Sequence, residues 1–201
     1  QELEIDLSEK NITDSQLQMM FVICNPSISS EVQVGLALRI LCGFGIEEIA
    51  EAFLANKETI NKRLYRGKEK LRFENIKVEL PNDSEIDERL GNVLTTIYLL
   101  FNEGYYSSTQ NKTLRKELCV EAMRLNFLLL ENDRTNTPQA NALMSLMCFH
   151  SSRFDARLDD NGEVILYARQ NRANWNYELV QEGEYYLSQS AQGSRLSKYH
   201  L

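Results

Sequence analysis

The chain has 201 residues, 43% hydrophobic and 25% charged, a composition typical of a globular protein with room for one or two domains. Its net charge of −7 argues against indiscriminate binding to polyanions, and no apolar run approaches the ~20 residues of a membrane-spanning helix, so we expect no membrane partner. The four cysteines are too far apart for a metal clip, and they indicate buried free thiols in a cytoplasmic protein.

The N-terminal part of the chain is predicted to hold a tail and two short helices. Residues 1–13 are polar and acidic, and we interpret them as a linker or the tail of a missing N-terminal region. A first helix, capped at Asp14-Ser15, is broken by Asn25-Pro26-Ser27. A second helix covers about residues 31–42 and is ended by Gly43 and Gly45.

Residues 44–72 have the pattern of two helices joined by a short turn. Residues 54–56 have the right length for the turn of a helix-turn-helix, and Asn56 is a suitable N-cap for the second helix. Apolar and small residues recur at helical spacing in both segments, at Ile46, Ile49, Ala50 and Phe53 and then at Ile60, Leu64, Gly67 and Leu71. Residues 14–73 are therefore predicted to form a four-helix unit.

The second of these two helices carries most of the positive charge in the region. Residues 57–72 contain seven basic and two acidic side chains, a local charge of +5 that leaves −12 for the rest of the chain. Such a distribution is expected if one helix faces a phosphate backbone, although a solvated helix face is the alternative. The predicted DNA-binding residues are Lys57, Thr59, Asn61, Lys62, Arg63, Arg66, Lys68 and Lys70.

These eight residues are expected to divide between bases and phosphates. In a helix-turn-helix the N-terminal half of the second helix enters the major groove, so base contacts are assigned to Thr59, Asn61, Lys62 and Arg63. Further along, Arg66, Lys68 and Lys70 are expected to contact phosphates, as is Lys57 at the helix start.

The rest of the chain is predicted to be a linker, residues 74–87, and a helical extension, residues 88–201. One helix begins near residue 86 and is C-capped by Gly104; others cover about 112–131, the segment from Pro138, and about 176–189. A turn at 159–162 is expected to precede a short, extended and buried segment at 164–167, giving a hairpin-like feature. The chain is therefore predicted to be all-α, and the helices of the extension could stack as in helical-repeat proteins.

Catalytic signatures are absent from the sequence. It contains no phosphate-binding loop, no HExxH and no GxSxG, and its adjacent carboxylates at 47–48 and 159–160 are poorly placed for paired acid/base chemistry. We therefore predict a binding protein that is not an enzyme and has no cofactor.

The run from Leu17 to Arg72 resembles region 4 of bacterial extracytoplasmic-function sigma factors, in the subfamily with a long helical C-terminal extension. The resemblance is carried by Phe21, Cys24, Pro26, Glu31, Gln33, Leu36, Leu38 and Arg39, by residues 48–54, and by Thr59, Arg63, Leu64, Arg66 and Lys68. Asn25, Ile23 and Gly67 depart from the usual pattern. This resemblance implies recognition of the promoter −35 element and binding to the β-flap of core RNA polymerase. Nothing resembles sigma region 2, which we expect upstream of Gln1.

The resemblance continues into the extension, through residues 98–105, 183 and 197–201 and through a Q-x-R-x-x-W motif in which Asn171 replaces the usual Asp. A candidate functional cluster in the extension comprises Asn102, Glu103, Tyr105, Gln170, Arg172 and Trp175. These residues would serve a regulatory partner or a ligand, and the extension would replace a separate anti-sigma protein. The alternative is structural, with a buried Trp, an Arg that ties a loop to a helix, and a helix cap.

Two other functions fit the same pattern. A helix-turn-helix repressor or activator with a C-terminal effector domain would bind DNA by itself, usually as a dimer on a palindrome. A helical protein-interaction adaptor would keep the basic helix away from DNA altogether.

Overall fold

The structure is a computed structural model that describes residues 8–106, 111–159, 163–192 and 196–200. The described residues are all-α, as predicted, and they divide into two compact units, Gln1–Thr96 and Ile97–Leu201. The α-helices are α1 Glu9–Ile23, α2 Ser30–Ile40, α3 Ile46–Ala52, α4 Lys57–Phe73, α5 Ile86–Tyr105, α6 Lys112–Leu130, α7 Pro138–Ser151 and α8 Tyr177–Ser190. Short 3-10 helices cover Phe154–Ala156, Tyr167–Arg169 and Arg172–Asn174. Over these ranges, no helix is both long and apolar enough to cross a membrane.

Helix α1 begins earlier than the sequence indicated. Its N-cap is Ser8, whose side chain accepts a hydrogen bond from the Asn11 backbone N–H at 3.4 Å. The predicted cap at Asp14-Ser15 is wrong, because the Ser15 hydroxyl donates to the Asn11 carbonyl at 2.8 Å from inside the helix. The predicted tail therefore contributes residues 9–13 to α1, and residues 1–7 of the tail lie outside the described residues.

Helices α2, α3 and α4 pack against one another in the first unit. Gly43 follows α2 with a φ of +77°, a left-handed conformation that ends the helix readily only at glycine. In α3, Ile49 and Ala50 are buried as predicted, whereas Ile46 and Phe53 are only half-buried. All four core positions predicted for the second helix, α4, are buried.

Helix α4 crosses α2 at a point where both helices carry glycine. A Cβ atom added to Gly67 would overlap the Val32 Cγ1, and one added to Gly35 would lie 2.8 Å from the Leu64 Cδ2. The side chains of each helix therefore fill the space above the glycine of the other. This close approach explains a glycine in the middle of α4, where it costs about 1 kcal/mol of helix propensity relative to alanine.

The predicted linker at 74–87 lies within the first unit, and the division between units falls inside α5. The N-terminal half of α5 is held by buried and half-buried polar contacts, since Arg89 Nη2 donates to the Phe21 carbonyl at 2.9 Å. Thr96 Oγ1 also lies 2.6 Å from the Gln33 Oε1 in the same core. These contacts attach the start of α5 to α1 and α2, so the chain does not separate where its composition changes.

In the second unit, α7 packs against both α6 and α8. Thr137 caps α7 through the Ala140 N–H, with Pro138 in the first turn as predicted. The α7–α8 contact is close, because the Ser145 hydroxyl donates to the Gly183 carbonyl at 2.7 Å.

Two local predictions in the extension are wrong. Gly104 does not cap α5, which continues to Tyr105; a Cβ added to Gly104 would lie 2.5 Å from the Arg115 carbonyl oxygen, so this glycine permits α5 and α6 to approach. The segment after residue 163 is not buried, since Val164 and Leu166 are 62% and 66% exposed. Its hairpin-like part is one antiparallel bridge between Leu158 and Val164, and residues 160–162 of the turn lie outside the described residues.

Candidate nucleic-acid interface

Helix α4 is positioned by the turn that precedes it. The Asn56 side chain accepts a hydrogen bond from the Thr59 N–H at 2.8 Å, which confirms the predicted N-cap. In the turn, Leu54 has a φ of +49°, a conformation unusual for a non-glycine residue, and its side chain is exposed. The buried stripe of α4 faces α2 and α3, so its charged side chains project away from the core.

Five of the eight predicted DNA-binding residues line one groove. The groove has a volume of about 470 Å³ and runs between α4 and the segment that leads into α2. Its α4 wall consists of Thr59, Lys62, Arg63, Arg66 and Lys70, together with Gly67. Its other wall consists of Ser27, Ile28, Ser29 and Val32. The groove therefore combines four cationic side chains with three hydroxyl-bearing residues.

The other three predicted residues, Lys57, Asn61 and Lys68, are exposed but do not line the groove. At ~100° per residue, they lie on the opposite flank of α4 from the groove. Lys57 forms an ion pair with Glu47 of α3, and the hydrogen bond from Lys57 lowers the pKa of the Glu47 carboxyl. The eight residues thus occupy two flanks of the helix.

Two of the groove cations are held by contacts that the sequence did not indicate. Arg63 Nη1 donates to the Glu31 Oε1 in the first turn of α2. Lys70 Nζ donates to the Ser27 carbonyl. The Ser27 hydroxyl is buried and has no hydrogen-bond partner among the described residues. Glu31 and Ser27 are 32 and 43 residues from their respective partners in α4, so the sequence carries no local sign of these contacts except Gly67, which indicates a close helix crossing.

The first part of the candidate cluster in the extension lies at the C-terminal end of α5 and consists of Asn102, Glu103 and Tyr105. Asn102 and Glu103 are half-buried, and Tyr105 is buried, with its ring centroid 4.8 Å from that of His150. Two arginines hold the last carbonyls of α5: Arg115 donates to Gly104 and Tyr105, both at 3.1 Å, and Arg157 donates to Tyr105. Burial lowers the pKa of Arg115 and raises that of Tyr105. These contacts favour the structural interpretation of this part.

The second part of the candidate cluster has different neighbours and consists of Gln170, Arg172 and Trp175. The Trp175 ring lies 5.7 Å from that of Tyr167, and the Arg172 Cζ lies 5.6 Å from the Trp175 ring centroid. Gln170 Nε2 donates to the Ile165 carbonyl at 3.0 Å. The Gln170 Oε1 and the Trp175 Nε1 are buried without a hydrogen-bond partner among the described residues. The structure therefore brings these three side chains into one loop region whose polar atoms are incompletely paired.

Three of the four cysteines have an environment that suppresses thiolate chemistry. Cys24, Cys119 and Cys148 are buried free thiols, as predicted, and burial raises the pKa of each to about 12. The Cys42 thiol is not part of a disulfide, and this residue is partly exposed. Over the described ranges, no three Cys, His, Asp or Glu side chains are grouped as metal ligands.

Comparison with known proteins gives one family and one curated relative. Residues 89–191 match the family of unknown function DUF6596. The "Uncharacterized protein R00370" of Rhizobium meliloti (strain 1021) is 34% identical over 200 residues, which cover 100% of this chain and 47% of the relative, so the chain spans about half the length of that protein. No solved structure matches. The residues that line the groove beside α4 precede the part of the chain that matches the family, but they are included in the alignment with the relative.

Proposed function

The chain belongs to the family of unknown function DUF6596, and we propose that it is the promoter-recognition part of a bacterial RNA polymerase sigma factor. In this proposal α4 binds the −35 element in the major groove of DNA, and the same unit binds the β-flap of core polymerase. The observation that supports it best is the groove beside α4, where four cations converge from a chain with a net charge of −7.

The charge distribution supports DNA as the ligand of this groove. Lys62, Arg66 and Lys70 are exposed, so they can neutralise phosphates and release counterions. Thr59 and Arg63 lie one turn apart on the same wall, in the N-terminal half of α4 that a helix-turn-helix inserts into the major groove. The groove thus offers phosphate-binding groups beside groups that can contact base edges.

The β-flap would bind an apolar surface of the first unit. Ile40 at the end of α2 and Leu54 in the turn are 42% and 68% exposed, and they offer apolar side chains for such a contact. A polymerase contact would hold a weakly binding domain at its promoter by raising its local concentration.

The test is transcription in vitro by core polymerase supplied with the full-length protein. Arg63→Ala plus Arg66→Ala should reduce −35-dependent initiation at least ~10-fold, since a base contact and a phosphate contact are lost together. The matched control is Lys10→Ala plus Lys77→Ala, which removes the same charge from exposed positions off α4 and should change initiation little.

Undiminished initiation by the α4 variant would refute the proposed interface. Sequence-specific DNA binding by a dimer, without any stimulation of core polymerase, would instead support a repressor or activator. No binding to DNA or to polymerase would support the adaptor.

A further inference from the structure

Resting on the proposed function, the geometry points to Glu31 as a positioning residue for DNA recognition. We infer that its carboxylate fixes the guanidinium of Arg63 in the groove, so that Arg63 reads a guanine edge. Glu31 itself would touch no base. Its role would be to set the sequence specificity of α4 while weakening overall attraction to DNA.

Arg63 differs from the other groove cations in how it is held. Its side chain is 30% exposed, whereas Lys62, Arg66 and Lys70 are exposed residues. Its Nη1 donates to the Glu31 Oε1 across the α2–α4 contact, beside the crossing where Gly67 meets Val32. Arg63 is therefore anchored to a second helix at a point where the two backbones cannot easily shift.

This arrangement leaves the guanidinium able to bind a base. A guanidinium has five N–H donors in a planar fork, and one carboxylate oxygen occupies only part of them. Arginine contacts guanine through two parallel hydrogen bonds to O6 and N7, which requires a fixed orientation of the fork. An ion pair that already restricts the side chain lowers the rotamer entropy lost on binding the correct base.

The same carboxylate opposes non-specific binding. Glu31 is 52% exposed and pairs with Arg63, so its negative charge repels phosphates that approach this part of the groove. Replacing it with glutamine keeps the size of the side chain and removes that repulsion. Glu31→Gln should therefore bind non-specific duplex more tightly and yet discriminate less between sequences.

The test measures affinity and specificity separately. Wild-type chain first selects duplexes from a random-sequence library at low salt, which supplies a consensus duplex and a scrambled duplex as probes. Glu31→Gln should bind the scrambled duplex about 2- to 5-fold more tightly, because one phosphate-repelling charge is gone. The ratio of consensus to scrambled affinity should fall about 5- to 30-fold, the scale of one lost bidentate base contact.

Glu47→Gln is the matched control. Glu47 pairs with Lys57 on the opposite flank of α4, so its loss changes the charge of the same unit by the same amount. Glu47→Gln should raise affinity for both probes without lowering their ratio. An equal fall in the ratio for both variants would show a general charge effect and would overturn the role of Glu31.

A double-mutant cycle tests whether Glu31 acts through Arg63. Arg63→Lys keeps the charge but removes the fork, and it should lower the ratio as Glu31→Gln does. Glu31→Gln plus Arg63→Lys should then be no worse than Arg63→Lys alone. Additive losses would refute the coupling, and so would an unchanged ratio in Glu31→Gln.

Circular dichroism of each variant excludes unfolding as the cause. If the wild type selects no sequence in the presence or absence of core polymerase, the proposed function fails and this inference fails with it. If the wild type selects a consensus but Glu31→Gln discriminates equally well, only the inference fails.

Discussion

The substitution Gly104→Ala tests whether the contact between α5 and α6 requires a residue without a Cβ atom at position 104. A Cβ atom at this position would lie 2.5 Å from the Arg115 carbonyl oxygen, 2.8 Å from the Cys119 Sγ and 3.0 Å from the Leu118 Cβ. Two of these three neighbours cannot rotate away, since one is backbone and one is a Cβ. Gly104→Ala therefore forces α6 away from α5 by roughly 1 Å, the shortfall from ordinary van der Waals contact.

The expected loss of stability combines three terms. Overpacking of a close helix contact costs about 1–3 kcal/mol. Moving α6 also weakens the two hydrogen bonds from Arg115 to the carbonyls of residues 104 and 105, which removes about 1–2 kcal/mol more. Alanine returns about 1 kcal/mol of helix propensity. The net destabilisation is about 1–4 kcal/mol, which lowers the melting temperature by about 2–16 °C for a chain of this size.

Gly91 provides the control on the same helix. An added Cβ there would meet nothing within 4 Å, so Gly91→Ala should gain helix propensity alone and raise stability by about 0.5–1 kcal/mol. Thermal unfolding of the two variants and the wild type, followed by circular dichroism, measures the contrast. If Gly104→Ala melts at or above the wild-type temperature, α5 and α6 do not pack as described.

Two further predictions concern the extension. Burial, with smaller contributions from Arg153 and Arg157, lowers the pKa of His150 to about 4. Because this pKa lies below the unfolded value of ~6.5, protonation of His150 between pH 6.5 and 4 favours unfolding. As the pH falls from 7 to 4, the free energy of unfolding of His150→Phe should therefore rise by about 1–3 kcal/mol relative to that of the wild type. Equal pH dependence of the two proteins in denaturant titrations would contradict this. Trp175→Phe removes a buried N–H that has no partner in the described parts of the chain, so it should leave the midpoint of urea unfolding unchanged or raise it. A loss above ~2 kcal/mol would mean that this N–H is paired.

The faces of α4 could be predicted because their signals are local. Asn56 caps a backbone N–H three residues away, and the buried stripe repeats at helical spacing within seventeen residues. The second wall of the groove could not be predicted in the same way. Ser27 and Glu31 reach α4 only because α2 crosses it at Gly67, and a contact between helices some thirty residues apart leaves no periodic pattern.

The failed predictions have a common physical origin. A glycine near the end of a helix suits both a left-handed cap and a close helix crossing, and the sequence around Gly104 does not distinguish them. An apolar run such as 164–167 favours a buried strand only if another element covers it; here the run makes one bridge and leads into a 3-10 helix with exposed side chains. Tertiary packing decided both cases.

The charge distribution gives a reason for an acidic side chain beside the proposed DNA-binding groove. With −12 outside residues 57–72, the rest of the chain repels DNA wherever it comes within a Debye length of ~8–10 Å, so α4 alone should bind weakly. If core polymerase supplies the missing affinity, the domain gains little from further positive charge and more from discriminating between sequences. Glu31 would then cost affinity that polymerase replaces, while it fixes the orientation of Arg63. A domain that bound promoters unaided would gain more by replacing Glu31 with a neutral residue.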